Sequence, residues 1–340
     1  MIDEPADDRT RDGAGATSPR SASAGEGDRR DEAPPLIAVL GPTASGKTAV
    51  GILLAERLNG EIVSVDSRQI YRELDIGTAK PTPEEQARAR HHLIDVVDPN
   101  ERFSVAQYQE RADAAIAEIR ARGRRPILVG GAGLYYRGLV DGLFDGPPPD
   151  PTIRARLEAE AEALGSESLH RRLRTIDPEA AHRIHPNDRM RIVRALEVYE
   201  QTGRPISALQ RQWDSGEPRH RVLAFGLRRP REELNRRANA RIKQMLADGL
   251  LDEVARLRAK YPFDLPAFQG FGYRELWEYL DGKHSYDKAI ELLKRNTHRY
   301  AKRQMTWFRA DRRIRWIDVG PDEPAESVAA RILDRLEEPE

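Results

Sequence analysis

The sequence predicts an α/β protein, a parallel sheet with helices on both faces, interrupted by an all-helical insertion. Three observations carry this. Short β-branched apolar runs alternate with stretches of helical period from about residue 36 to 130, which is the pattern of strand–helix–strand crossovers. The first run, Leu36-Ile37-Ala38-Val39-Leu40, leads straight into Gly41-Pro42-Thr43-Ala44-Ser45-Gly46-Lys47-Thr48, a match to the phosphate-binding pattern G-x-x-x-x-G-K-[ST]. Beyond 145 the strand-like runs give way to charged helical stretches and return only near 221.

Taken in order, strands are expected at 36–40, 61–65, 92–97, 126–129, 221–226 and 314–317. Helices are expected at 47–58, 83–90 and 104–122, the last opened by Ser104 as its N-cap, and then at 152–164, 168–175 and 188–202. Further helices follow at 231–246, 250–260, 273–280 and 286–309. The Gly146-Pro147-Pro148-Pro149 break marks where the pattern changes, so residues 35–144 and 216–340 are read as one core and 145–215 as the insertion. Residues 1–34, rich in Asp, Arg, Gly, Ala and Ser, read as a disordered acidic tail.

Composition narrows the chemistry. The chain has 340 residues and no cysteine, which excludes disulfides, thiolate zinc sites and a cysteine nucleophile and fits a reducing, cytoplasmic location. No apolar run is long enough to cross a bilayer, and none near the start resembles a signal peptide, so a soluble protein without a membrane partner is expected. Lys plus Arg and Asp plus Glu both number 56, but the balance is uneven. The tail carries nine acids against five bases, leaving +4 on the rest, and Lys288 to Arg315 holds ten Lys or Arg against two acids. From Arg171 to Arg194 there are seven Arg against three acids. Such clusters suit a phosphate backbone, although solvated helix faces look the same in sequence.

The phosphate loop sets a geometry. A strand, a glycine turn and a helix aim backbone N–H groups at one anion, Lys47 neutralises phosphate oxygens, and the Thr48 hydroxyl can ligand Mg²⁺. Asp66, in Val65-Asp66-Ser67, falls at the end of the second strand, where open parallel sheets hold ligands. It can serve as a base, hold Mg²⁺ through water, or cap the following turn. The strand 126–129 ends in Gly130-Gly131, where nucleotide hydrolases of this kind carry an acid, and glycines there permit a ligand to approach the backbone. Asp75 to Pro81, D-I-G-T-A-K-P, combines a tight turn with Thr and Lys. His91 and His92 are adjacent and do not have metal-ligand spacing on a helix.

These residues fall into a set that resembles a known family. G-P-T-A-S-G-K-T (41–48), V-D-S-R-Q-I-Y (65–71), D-I-G-T-A-K-P (75–81), V-G-G-A-G-L-Y (129–135), I-H-P-N-D (184–188), G-Y-R-E-L (272–276) and Y-A-K-R-Q-M-T-W-F (300–308) resemble the bacterial tRNA dimethylallyltransferases, also called tRNA isopentenyltransferases, over about 36–318. The resemblance implies a P-loop NTPase-like core and transfer of a dimethylallyl group from dimethylallyl diphosphate to the exocyclic amine of the adenine 3′ to the anticodon. It implies tRNAs reading codons that begin with U, Mg²⁺ as cofactor, and a helical insertion that grips the anticodon stem-loop. A monomer is expected.

Site roles follow from the same resemblance. Asp66 takes the amine proton, Lys47, Thr48 and the 41–48 loop hold the diphosphate, and Arg241 adds a pyrophosphate contact. Asp66, Ser67, Arg68 and Gln69 surround the target adenine, which must leave its stack. Arg154 and the run Met190, Arg191, Ile192, Val193, Arg194 meet the anticodon arm. Gln269, Gly270, Phe271, Gly272, Tyr273 and Arg274 read a neighbouring base. One position departs from the family: Ala132 stands where Thr is usual, which removes a hydroxyl contact to tRNA worth on the order of 1 kcal/mol and implies a weakened enzyme, not an inactive one. Three alternatives stand beside this reading: a small-molecule kinase, an isopentenyltransferase for free adenine nucleotides, and a noncatalytic RNA-binding protein with a vestigial loop.

Overall fold

Leu36–Leu40 (β1) has no polar side chain, and all five residues are fully buried, as expected of a strand covered on both faces. The computed structural model describes residues 34–143, 146–210 and 217–337. The acidic tail expected over 1–34 therefore lies, except for its last residue, outside the described residues. The strands β1, β2 (Gly60–Val65), β3 (His91–His92), β4 (Arg125–Gly130), β5 (Val222–Arg228) and β6 (Ile314–Asp318) form one parallel sheet in the order β3-β2-β4-β1-β5-β6. Because β4 lies between β1 and β2, the loops leaving all three strands meet over one end of the sheet.

The period-2 alternation of the strands sorts their side chains between two cores. Ile37, Val39, Ile62, Ile127, Val129 and Phe225 pack under α1 (Lys47–Arg57) and the terminal α14 (Ala325–Glu337). Leu36, Ala38, Leu40, Val63 and Leu128 face α3 (Val105–Ala121), α4 (Gly133–Val140) and Phe308 of the 24-residue α13 (Tyr286–Arg309). Ser104 caps α3 as expected, through a reciprocal pair of bonds with Gln107. Gly51 of α1 is required by this packing, since a Cβ there would sit 2.5 Å from a Val129 methyl.

Two further cores flank the sheet. Ile70, Leu74, Phe268 and Tyr273 pack with α11 (Leu250–Lys260) and α12 (Tyr273–Leu280), which follow α10 (Arg231–Ala247). Between β4 and β5 lie α5 (Pro151–Leu164), α6 (Ser166–Ile176), α7 (Pro178–Arg183), α8 (Arg189–Thr202) and α9 (Ile206–Gln210), which enclose a core of their own around Leu157, Leu173, Ile192 and Leu196. Among the described residues no helix is long and apolar enough to cross a membrane.

Three differences from the expected elements have physical causes. The strand expected over 92–97 is only two residues long, because Leu93 and Asp95 take φ values of 63° and 57°, which no ladder tolerates. The chain meets the sheet direction again in a single Tyr71–Val97 bridge. The helix α4 was not expected: its sequence, GLYYRGLV, carries two glycines and two aromatics and is helical through burial of Tyr135, Tyr136, Leu139 and Val140. The short α7 and α9 and the terminal α14 were also unexpected, and α7 is started by Asp177 at its N-cap with Pro178 behind it. Residues 83–88 form the remaining helix, α2, opened by a Thr82–Glu85 capping box.

Candidate active site

The loop after β1 turns on two left-handed residues, Ala44 at φ 65° and Gly46 at φ 96°. Gly46 begins α1 without a side-chain cap, and no acid stands in the first turn, so the helix end presents backbone N–H groups to whatever lies in front of it. Lys47 folds back over the loop and donates to the Pro42 carbonyl at 3.2 Å. Thr43, Lys47 and Thr48 line one wall of a cavity of about 410 Å³.

Asp66 lines the same cavity from the end of β2, and Arg241 lines it from α10. The three motif residues that chemistry would join, Lys47, Asp66 and Arg241, are thus brought together from positions far apart in sequence. Their charges interact. Burial lowers the Lys47 ammonium to about 8, with Asp66 pulling it up and Arg241 pushing it further down. Desolvation also lowers Arg241, which Asp66 opposes. Tyr300 of α13 is pushed up to about 12, mainly by burial and then by the Asp66 charge.

Asp66 also caps the turn that follows it. Its Oδ1 accepts from the N–H of Arg68 at 2.8 Å and of Gln69 at 3.3 Å. Both bonds use one oxygen, so capping and a role for Oδ2 in the cavity are compatible. Gln69 is tied on both sides: its Oε1 accepts from Ser64 Oγ at 3.1 Å, and its Nε2 donates to the Ala79 carbonyl at 3.0 Å. Arg68 reaches across to the Pro266 carbonyl at 2.5 Å and runs beneath Gly270, where a Cβ would be 3.4 Å from its Nε. Ser67, Arg68 and Gln69 all line the cavity, as do Gln269, Gly270, Phe271, Gly272 and Tyr273.

Within 269–274 the side chains differ in what they can offer. Tyr273 is 1 % exposed and donates to Glu253 at 2.6 Å. Gln269 donates to the Phe263 carbonyl at 2.7 Å, and Arg274 pairs with Glu278 at 3.5 Å. Phe271 packs on Tyr300 with centroids 5.1 Å apart, and Arg303 lies over both rings at 5.9 and 5.8 Å.

Two glycines read as room for a ligand have another cause. A Cβ at Gly130 would lie 2.0 Å from the Val65 carbonyl oxygen, and one at Gly131 would lie 2.3 Å from Gln304 Nε2. The crowding is from the protein itself. Gln304, 7 % exposed, accepts from the Thr43 N–H and donates to the Gly131 carbonyl, both at 2.9 Å, and so clamps the phosphate loop to the end of β4. The motif around Gln304 is visible in the sequence, but nothing in it points to a role for Gln304. Glu253 was missed altogether: buried on α11, it accepts from the N–H groups of Asp75, Ile76 and Gly77 at 3.1, 2.9 and 3.1 Å. A single Glu on an amphipathic helix carries no signal that it holds a loop 176 residues away. Lys80 of that loop is structural, bound to Tyr71, Asp75 and Asp95.

Ala132 lies outside the cavity lining, at the N-cap of α4, with its N–H on the Val65 carbonyl at 3.0 Å. The helices α5–α9 are also divided. Arg154 and Arg194 both bond the fully buried Glu197 at 2.8 Å, and Arg194 also holds the Pro147 carbonyl. Ile192 and Val193 are buried in the helical core, so their side chains face away from any external partner. Met190 is 82 % exposed, and Arg191, paired with Asp188 at 3.4 Å, is also open. Arg191 shares a groove of about 1150 Å³ with Arg299, Lys302, Arg303 and Trp307 of α13 and with Arg312.

The chain is similar to known proteins over most of its length. Residues 69–311 match the family model described as IPP transferase. The chain is 52% identical over 291 residues to a tRNA dimethylallyltransferase of Geobacter metallireducens, covering 85% of this chain and 94% of the relative. It is 53% identical over 290 residues to one of Symbiobacterium thermophilum, covering 85% and 91%. Among solved structures it is similar to a full-length tRNA isopentenylpyrophosphate transferase of Bacillus halodurans, with TM-score 0.65 and 43% identity over 89% of this chain and 97% of the other. A eukaryotic dimethylallyltransferase acting on tRNA gives TM-score 0.72 at 26% identity, covering 88% and 79%. With the phosphate loop, Asp66 and Arg241 gathered at one cavity of a P-loop NTPase-like sheet, the chain belongs to the IPP transferase family.

Proposed function

We propose that this protein transfers a dimethylallyl group from dimethylallyl diphosphate to the exocyclic amine of the adenine 3′ to the anticodon, in tRNAs reading codons that begin with U. The observation that carries the reading is the meeting of Lys47, Asp66 and Arg241 at one cavity, with Arg303 shared between it and a basic groove that Arg191 of α8 also lines. In the reaction the adenine N6 lone pair forms a bond to C1 of the allyl group as the C1–O bond breaks, and pyrophosphate departs with that electron pair. One N6 proton goes to Asp66 Oδ2. An exocyclic amine is a weak nucleophile, and a placed carboxylate raises its reactivity as the new bond forms. Lys47, Arg241 and the N–H groups at the start of α1 stabilise the charge that builds on the leaving group.

A divalent cation fits this donor set. Among the described residues no cluster of three acidic or histidine side chains offers a protein-only cage. A Mg²⁺ ion held by Thr48 Oγ1, diphosphate oxygens and water needs none. When bound, Mg²⁺ would neutralise part of the diphosphate charge. The β4 strand ends in glycines crowded by Val65 and Gln304, so no carboxylate stands there to activate water against a terminal phosphate. That disfavours a kinase or hydrolase.

The acceptor is held from the groove side. Arg299, Lys302, Arg312 and Arg191 are suited to phosphates of the anticodon stem-loop, and the Phe271–Tyr300–Arg303 stack to an unstacked base near the cavity mouth. Of the arm-facing residues expected in α5–α9, Arg191 is the one whose side chain lines this groove and Met190 beside it in sequence is exposed, while Arg154 and Arg194 act by holding the helices in place through Glu197. The protein works as a cytoplasmic monomer. The test is incubation with Mg²⁺, dimethylallyl diphosphate and unmodified tRNA, with AMP and ATP in parallel, followed by mass analysis of the nucleosides. Prenylated adenosine from tRNA alone is expected. Product from free nucleotides, or no transfer, would overturn the reading.

A further inference from the structure

Two guanidinium groups sit against the phosphate loop, and nothing in the sequence assigns either of them a role, although Arg237 lies four residues before Arg241. Arg237 of α10 donates from Nε to the Ala44 carbonyl at 3.0 Å, and Arg229, just beyond β5, donates from Nε to the Ser45 carbonyl at 3.1 Å. These are consecutive peptide units. In a trans peptide the C=O and the N–H point opposite ways, so a donor that fixes the carbonyl from outside fixes the direction of the following N–H. The Ser45 N–H closes a turn on the Pro42 carbonyl at 3.3 Å, which leaves the Gly46 N–H as the group aimed by Arg229. Arg237 meanwhile holds Ala44, a residue with a side chain kept at φ 65° in the left-handed region.

The two guanidinium groups stand close together. A Cβ on Gly46 would lie 3.8 Å from Arg229 Nη2 and 3.9 Å from Arg237 Nη2, so the two cations converge on one residue. Arg229 is 7 % exposed, and its other acceptors are the backbone carbonyls of Gly320 and Pro321. Glu233 of α10 is hydrogen-bonded by Arg236 at 2.8 and 2.9 Å and reaches Arg229 and Arg237 only through its charge. Desolvation and the Arg237 charge both lower Arg229, and Glu233 and Glu323 oppose this without hydrogen-bonding either guanidinium, so the pair keeps positive potential that an anion at the loop can use. The loop lies between them and the cavity.

We infer that Arg237 and Arg229 are positioning residues for the diphosphate, which orient the loop peptides from behind and add positive potential through them. The inference rests on the proposed use of a diphosphate. Arg237 is the position to vary, since Arg229 is deep in the fold. Calorimetric titration of the full-length protein with Mg²⁺ and inorganic pyrophosphate should show Arg237→Gln binding about tenfold more weakly than wild type, with Arg237→Lys between them. The KM for dimethylallyl diphosphate should rise in step, while tRNA affinity stays within about twofold. Wild-type pyrophosphate affinity in Arg237→Gln would overturn the assignment. So would a parallel loss of pyrophosphate binding, tRNA binding and Tm, the mark of a structural role. Should Arg237→Gln not fold, Arg237→Lys decides alone, by weakened pyrophosphate binding with intact tRNA affinity or by no change. A protein that binds pyrophosphate in this Arg237-dependent way but transfers nothing to tRNA would refute the proposed reaction and leave the assignment standing.

Discussion

The cavity in the sheet and the helices α5–α9 use the same residue types in opposite ways. In the cavity, cations and a carboxylate from three elements face a shared space, and Lys47 is held near its titration point. In the helices, Arg154 and Arg194 turn inward and neutralise the fully buried Glu197. A buried carboxylate whose bonds are all internal is a structural device, whereas one with an oxygen left toward a cavity is available for chemistry. Arginine in a basic stretch is therefore weak evidence of RNA contact until its partners are known.

The sharpest way to break this contrast is Asp66→Asn. The amide oxygen keeps the cap on the Arg68 and Gln69 N–H groups, while the base is lost, so turnover should fall by about 10³-fold with tRNA affinity intact. Single-turnover transfer within about tenfold of wild type would end the general-base role. Glu197→Ala probes the other side: it strands two arginines and should cost about 3–5 kcal/mol in denaturant unfolding. Arg191→Ala, by contrast, should leave stability within about 0.5 kcal/mol and lower the salt slope of tRNA binding by about one unit.

Lys47 gives a pH dependence with a defined sign. Its free-state pKa is lowered to about 8, and a bound diphosphate favours the charged form and raises it. The Lys47 contribution to pyrophosphate affinity should hence be full below that value and be lost as pH rises through about 8, with proton uptake by Lys47 on binding near there. Lys47→Arg should remove the inflection. The smallest expected change is Ala132→Thr. Helix α4 has no side-chain cap, so a hydroxyl at this N-cap should add about 1 kcal/mol of stability. An equal gain in tRNA affinity without a change in Tm would place position 132 at the RNA instead.

The alternating runs and the glycine loop made the sheet and its ligand end legible, because those features follow from local backbone rules. Lys47 was legible in the loop pattern and Asp66 as a candidate at the end of the second strand, whereas the choice of base for Asp66 and the place of Arg241 came only through the family resemblance, and the meeting of the three is tertiary. Glu253 and Gln304 escaped for a different reason: each acts through backbone groups far away in sequence, and a backbone partner leaves no residue-type signal. The helix α4 escaped because burial overrides the poor propensity of its glycines and aromatics. Leu93 and Asp95 cut short the expected 92–97 strand with positive φ values that an apolar pattern cannot reveal.

The division of labour between the loop and the groove can be measured in one experiment, tRNA binding titrated with and without saturating Mg²⁺ and pyrophosphate. If the loop serves the diphosphate and the groove and helices serve the RNA, both bind at once and the tRNA Kd changes by no more than about threefold. Competitive displacement of tRNA by pyrophosphate would mean that the loop holds an RNA phosphate, and the account given for the two regions would be wrong.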